Sequence, residues 1–102
     1  MNELMIDTSD NKKTIVELLI DGKAYSISSK KTRSSNLLPL ILKLLKKHDL
    51  GLSEIKKIRV NRGPGSFTGI RVGVSVANTI AAVLNIPING KKVGELVEPK
   101  YT

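Results

Sequence analysis

The sequence contains no cysteine and no tryptophan, one histidine, and only three other aromatic residues, Tyr25, Phe67 and Tyr101. Without cysteine there are no disulfides, no thiolate nucleophile and no cysteine-ligated zinc. So few aromatic rings leave no platform on which the bases of single-stranded RNA could stack. No uninterrupted run of about eighteen apolar residues is present, and the N-terminus, MNELMIDTSDNKK, is acidic and polar where a secretory signal would be basic and then apolar. A soluble cytoplasmic protein with no membrane segment is expected.

The 102 residues suit one domain, a size that buries roughly two-thirds of its unfolded surface. Lysine and arginine outnumber the acids 17 to 9, for a formal charge of +8. That balance favours contact with nucleic acid or an acidic partner. The basic residues are nevertheless scattered along the whole chain, as on a solvated surface.

The chain is organised around residues 59–84, RVNRGPGSFTGIRVGVSVANTIAAVL, a strand that runs into a glycine-rich turn and then into a helix. Ile58 and Val60 alternate with Lys57, Arg59 and Asn61, the period of a strand with one buried face. The turn is Gly63, Pro64, Gly65, Ser66, Phe67, Thr68 and Gly69, where either Ser66 or Thr68 can cap the helix. In the helix, Gly69, Gly73, Ala77 and Ala81 form one ridge of small residues, open to close approach by a partner, by the other helix or by the sheet. Beside it runs a bulkier stripe of Val72, Val76, Thr79, Ile80 and Val83. A helix apolar over most of its circumference is buried on more than one side.

Upstream, residues 4–7 read as a first strand that exits through Asp7-Thr8-Ser9-Asp10. A second strand over 14–20 and a third over 23–28 are joined at Asp21-Gly22, a hairpin signal. A polar basic loop over 29–35 leads to a helix capped by Ser35 or Asn36, with Pro39 in its first turn. Residues 37–45 leave this helix almost no polar face before Lys46, Lys47 and His48. After the long helix, Ile88 can begin a short strand or hairpin, and from Asn89 the chain is expected to fray. The order β-β-β-α-β-α-β describes an α/β lobe with a three-stranded antiparallel meander and a mixed sheet.

Catalytic chemistry finds little support. The turn spacing Gly-x-Gly-x-x-x-Gly lacks the Gly-Lys-Ser/Thr of a P-loop and is one residue too long for a dinucleotide fingerprint. Ser66 and Thr68 have no base supplied nearby, because His48 lies at the end of another helix. Asp7 can hold a metal or polarise water, or simply form the loop. A nucleotide-dependent transferase, a peptidase-like enzyme and a small basic RNA-binding protein remain the alternative readings.

The segment GPGSFTGIRVGVSVANTIA closely resembles the signature of the TsaB family, the bacterial partner protein in making threonylcarbamoyladenosine on tRNA. IDTS, the strand pair split by DGK, SSNLLPLILKLL, LSEIKKIRVNRG and LNIP resemble the family's first lobe in order and spacing. The resemblance implies an actin-like, ribonuclease H-like lobe over residues 1–90, followed by a short tail over 91–102, with the family's second lobe absent. It implies a non-catalytic subunit that docks on a TsaD-like enzyme, with a TsaE-like ATPase joining and tRNA reached through the complex. A homodimer through the same surface is expected without the partner. The implied interface comprises Leu37, Leu38, Ile41, Leu42, Leu45, Gly69, Val72, Gly73, Val76, Ala77 and Ile80. Asp7, Thr8 and Ser9 match the fold's first phosphate loop and are expected to be vestigial, since one lobe cannot enclose a nucleotide; no cofactor or metal is expected. Where family members often carry His-Ser-Glu, this chain has Arg33-Ser34-Ser35.

Overall fold

A computed structural model describes residues 1–30 and 34–100, without the side chains of Ser34 and Ser35. The expected loop residues Lys31 and Arg33, and the capping role of Ser35, lie outside the described residues. The elements are β1 (Glu3–Asp7), β2 (Thr14–Ile20), β3 (Lys23–Ser29), α1 (Ser34–Lys47), a 3-10 turn (Leu52–Glu54), β4 (Lys57–Val60) and α2 (Phe67–Leu84).

The sheet runs β3-β2-β1-β4. The first three strands form the antiparallel meander, with Ile6 opposite Val16 and Val16 opposite Ile27. Asp21 and Gly22 both take positive φ, 47° and 86°, the twist that a two-residue hairpin requires. The α1 crossover then brings β4 in parallel beside β1, with Leu4 opposite Ile58. Both helices cover the same face, α1 over β2 and β3 and α2 over β1 and β4. Leu4, Ile6, Val16, Leu18, Ile58 and Val60 supply the sheet side of the core, and Leu37, Ile41, Leu44, Leu45, Ile70, Val74, Ala77, Ile80 and Ala81 the helix side. On the opposite face Met5, Ile15, Glu17 and Leu19 are half-buried, and Glu3 is covered by Lys57 and Arg59 at 3.9 and 3.4 Å. By length and composition α2 is apolar enough to cross a bilayer, yet here it packs on the sheet.

Several expectations are corrected. Pro39 lies inside α1 rather than in its first turn, because the helix already begins at Ser34. Phe67, Thr68 and Gly69 belong to α2, so the turn is shorter than 63–69; Ser66 is the cap and accepts from the Gly69 N–H at 3.3 Å. Among the described residues the final strand is reduced to one parallel bridge between Ile58 and Ile88. Asn89 finishes that edge with its side chain: Val60 N–H donates to Asn89 Oδ1 at 2.9 Å and Asn89 Nδ2 donates to the Val60 carbonyl at 3.2 Å. Residues 91–100 do not fray. Val97 is buried in the core cluster, and Asn78 on α2 bonds both its N–H and its carbonyl.

The small-residue ridge faces inward. A Cβ on Gly73 would overlap Thr8 Oγ1, and one on Gly69 would overlap the Thr8 carbonyl. Thr8 is fully buried and donates its hydroxyl to the Gly69 carbonyl at 2.5 Å. The glycines therefore let the end of β1 meet α2, which is why the ridge is unavailable to a partner. Gly69→Ala and Gly73→Ala should each destabilise the protein by about 1–3 kcal/mol in urea unfolding, the usual range for overpacking. In a double-mutant cycle Thr8→Ala should relieve part of the Gly73→Ala cost, whose clash is with a side chain, and none of the Gly69→Ala cost, whose clash is with backbone.

Candidate functional site

The outward surface of the helical layer carries large apolar side chains that the core does not use. On α1 these are Leu38 and Leu42, 40% and 46% exposed; on α2 they are Phe67 and Val83, 55% and 75% exposed. Val72 and Val76, half-buried, line an open groove of about 370 Å³ with Phe67, Thr68, Arg71 and Ser75. The Arg71 guanidinium lies 5.4 Å from the Phe67 ring centre, a cation–π distance that gives the groove a polar edge on an aromatic wall.

Of the interface residues that the sequence suggests, the structure divides two groups. Leu38, Leu42, Val72 and Val76 reach the outer surface. Leu37, Ile41, Leu45, Gly73, Ala77 and Ile80 are buried in this chain's own core, and Gly69 is closed off by Thr8, so these seven cannot form an open contact face. The reason is helical geometry. At 100° per residue an apolar run presents residues on every side, and the sheet takes those at one spacing while the outer strip keeps the rest. Phe67 and Val83, outside the implied interface although Val83 belongs to the bulkier stripe of the sequence, are exposed on the same helix.

Behind the helices, the loop after β1 meets the turn before α2. Asp7 Oδ1 accepts from Ser9 N–H at 3.0 Å, from Ser9 Oγ at 2.6 Å and from Asn61 Nδ2 at 3.3 Å. Burial pulls the Asp7 carboxyl upward, but the bonds from Ser9 and Asn61, helped by the charge of Lys13, outweigh it and hold the pKa below the ordinary 3.8. Ser66 N–H donates to the Ser9 carbonyl at 2.7 Å, and a Cβ on Gly65 would come within 2.6 Å of that same oxygen. Gly63, φ 114°, donates its N–H to Asn61 Oδ1 at 2.9 Å and is joined to Pro64 by a cis peptide. Asn61 is legible in the sequence only as a polar position of β4's alternation, although an asparagine two residues before a glycine turn is a signal for such side-chain-to-backbone bonding.

Several polar groups of the two loops are bonded within the chain. The Ser9 N–H and hydroxyl go to Asp7, the Thr8 hydroxyl goes to α2, and the Ser66 hydroxyl caps the helix. His48, at the end of α1, packs against Tyr25 with ring centres 4.2 Å apart, away from the helix that carries Ser66 and Thr68. Among the described residues no three of His, Asp and Glu converge to hold a metal ion.

Comparison with known proteins gives the lineage. The family model TsaD, tRNA N6-adenosine threonylcarbamoyltransferase, matches residues 26–91. The tRNA threonylcarbamoyladenosine biosynthesis protein TsaB of Bacillus subtilis is 40% identical over 114 residues, covering 99% of this chain and 50% of that protein. TsaB of Escherichia coli is 32% identical over 92 residues, covering 88% of this chain and 39% of its own length. The solved structure of YeaZ from Pseudomonas aeruginosa superposes with a TM-score of 0.79 at 34% identity, over 85% of this chain and 41% of that one. The chain thus spans half or less of the length of these relatives. The β3-β2-β1-β4 sheet under two helices is the part of an actin-like lobe that they share with it, and the chain belongs to this family, among its TsaB proteins.

Proposed function

We propose that this chain is a non-catalytic docking subunit that supports a TsaD-like threonylcarbamoyltransferase in tRNA modification. The observation that carries the reading is the set of outward apolar side chains on the helical layer, Leu38, Leu42, Phe67, Val72, Val76 and Val83, on a chain whose Thr8 and Ser9 hydroxyls are bonded internally. Large apolar side chains gathered on the outer side of two packed helices favour a protein contact. Docking by a flat helical face needs no substrate cleft, and it leaves tRNA to be engaged through the complex. A TsaE-like ATPase would join that assembly rather than this chain alone.

Co-expression with the TsaD-like protein of the same genome, followed by size-exclusion chromatography with light scattering, should give a one-to-one complex. Leu38→Glu and Leu42→Glu, which alter exposed positions outside the core cluster, should each weaken it about thirtyfold or more, as expected for central interface residues. Alone at high concentration the intact chain should self-associate, and Leu42→Glu should remain monomeric. A chain that neither binds the enzyme nor self-associates would end this reading.

Isothermal titration of the isolated chain with ATP and magnesium should show no binding in the micromolar range, and micromolar affinity would restore the enzyme alternative. The structural role of Asp7 has its own signature in pH. Its folded pKa is depressed, so its stabilisation is complete above the unfolded value near 3.9 and is lost as pH falls below that through the folded pKa. Asp7→Asn should therefore be less stable than the parent at pH 7 and lose less further stability between pH 5 and pH 3.

A further inference from the structure

Neither α1 nor α2 contains an aspartate or a glutamate. α1 carries Lys43, Lys46 and Lys47, all exposed, and α2 carries one charged residue among its 18, Arg71, also exposed. The chain holds nine acids, and none of them is placed on these helices. Among the described residues no carboxylate pairs with Arg71 or with these lysines; the ion pairs that form join the N-terminus to Asp21, and Lys57 and Arg59 to Glu3. The outer side of the helical layer is therefore of one sign and uncompensated.

Two of these cations stand beside the outward apolar side chains. Lys46 follows Leu42 by about one helical turn, so the two share a side of α1. Arg71 lines the groove of Val72 and Val76, with its guanidinium 5.4 Å from the Phe67 ring centre. A guanidinium held over an aromatic ring keeps its fork of N–H donors for a planar acceptor, and a carboxylate matches that fork with two parallel bonds.

Closing another protein over the groove would strip water from Arg71, and a desolvated cation with no opposite charge is strongly unfavourable. A second copy of this chain would bring to that contact the same helices, which hold cations and no acid. A nucleic acid would bring phosphates but little apolar surface for Leu38, Leu42, Val72 and Val76. An unlike protein can bring both. Resting on the docking reading above, we infer that the charge of the helical layer selects an unlike partner over a second copy: the partner's contact face is apolar, with one carboxylate set against Arg71 in the groove and acidic residues bordering it beside Lys46. Apolar burial attracts either occupant, and Arg71 decides between them.

The test measures affinity and dissociation rate for the TsaD-like protein of the same genome, together with self-association of the chain alone. It compares the intact chain, Arg71→Gln and Leu42→Glu, each checked for folding by circular dichroism; Arg71 and Leu42 are exposed and outside the core cluster. Arg71→Gln should weaken the complex about thirtyfold or more, chiefly through faster dissociation, as loss of one member of a buried ion pair does. Self-association of the same variant should be as strong as that of the intact chain or stronger. Raising salt from about 50 mM to about 500 mM should weaken the complex and strengthen self-association, because screening removes an attraction from one and a repulsion from the other. If Arg71→Gln stays within about threefold of the intact chain while Leu42→Glu weakens the complex, the selection by charge is overturned and the docking reading stands. Equal loss of the complex and of self-association in Arg71→Gln would also overturn it. A complex indifferent to Leu42→Glu, or no complex at all, would remove the docking reading and the selection together. Binding of tRNA by the lone intact chain at moderate salt, abolished in Arg71→Gln, would assign the cation to phosphate and overturn the carboxylate.

Discussion

A buried threonine between two helical glycines sets the geometry of this lobe. Thr8 leaves the end of β1 with no room to move: its hydroxyl bonds the Gly69 carbonyl, its own carbonyl occupies the space beside Gly69, and its side chain occupies the space beside Gly73. This contact ties the loop after β1 to the first turns of α2, and the Ser9–Ser66 and Asp7–Asn61 bonds reinforce it from the side. Once the rotation of α2 about its axis is fixed in this way, the outward residues follow. Ile70, Val74, Ala77 and Ala81 must face the core, and Val72, Val76 and Val83 are left near the surface.

Local signals in the sequence carried the elements well. The alternation of Ile58 and Val60 placed β4, Asp21-Gly22 placed the hairpin, and a serine before an apolar helical run placed the cap of α2. What those signals could not supply is the identity of a neighbour distant in sequence. A ridge of Gly69, Gly73, Ala77 and Ala81 reads the same whether a partner helix or the protein's own Thr8 lies against it. For the same reason the apolar run over 37–45 does not disclose that Leu37, Ile41 and Leu45 point to the sheet while Leu38 and Leu42 point away. The tail is not legible in the sequence because Gly90, Gly94 and Pro99 interrupt every periodic pattern, and the bonds that hold it come from Asn78 and Arg62 elsewhere in the chain.

Three asparagines recur where regular pairing stops. Asn61 receives the turn after β4, Asn78 pairs with Val97, and Asn89 pairs with Val60. Each offers one donor and one acceptor in a plane, the same pair a peptide unit offers, so a side chain can stand in for a strand that is not there. This lets the lobe finish its edge beside β4 with one bridge instead of a full fifth strand. It also divides α2: one side packs on the sheet, another carries exposed apolar side chains, and Asn78 bonds the main chain of Val97.

Asn89 is followed by Gly90, and asparagine before glycine is the pairing in which the side-chain amide is most readily lost by ring closure onto the next backbone nitrogen. Loss of that amide would replace the Nδ2 donor to the Val60 carbonyl with a carboxylate oxygen, turning an attraction into a repulsion at the end of β4. The left-handed backbone at Asn89 and the two bonds to Val60 hold the amide away from that reaction while the edge is closed. The same two bonds that close the sheet edge therefore also hold the Asn89 amide in a fixed place.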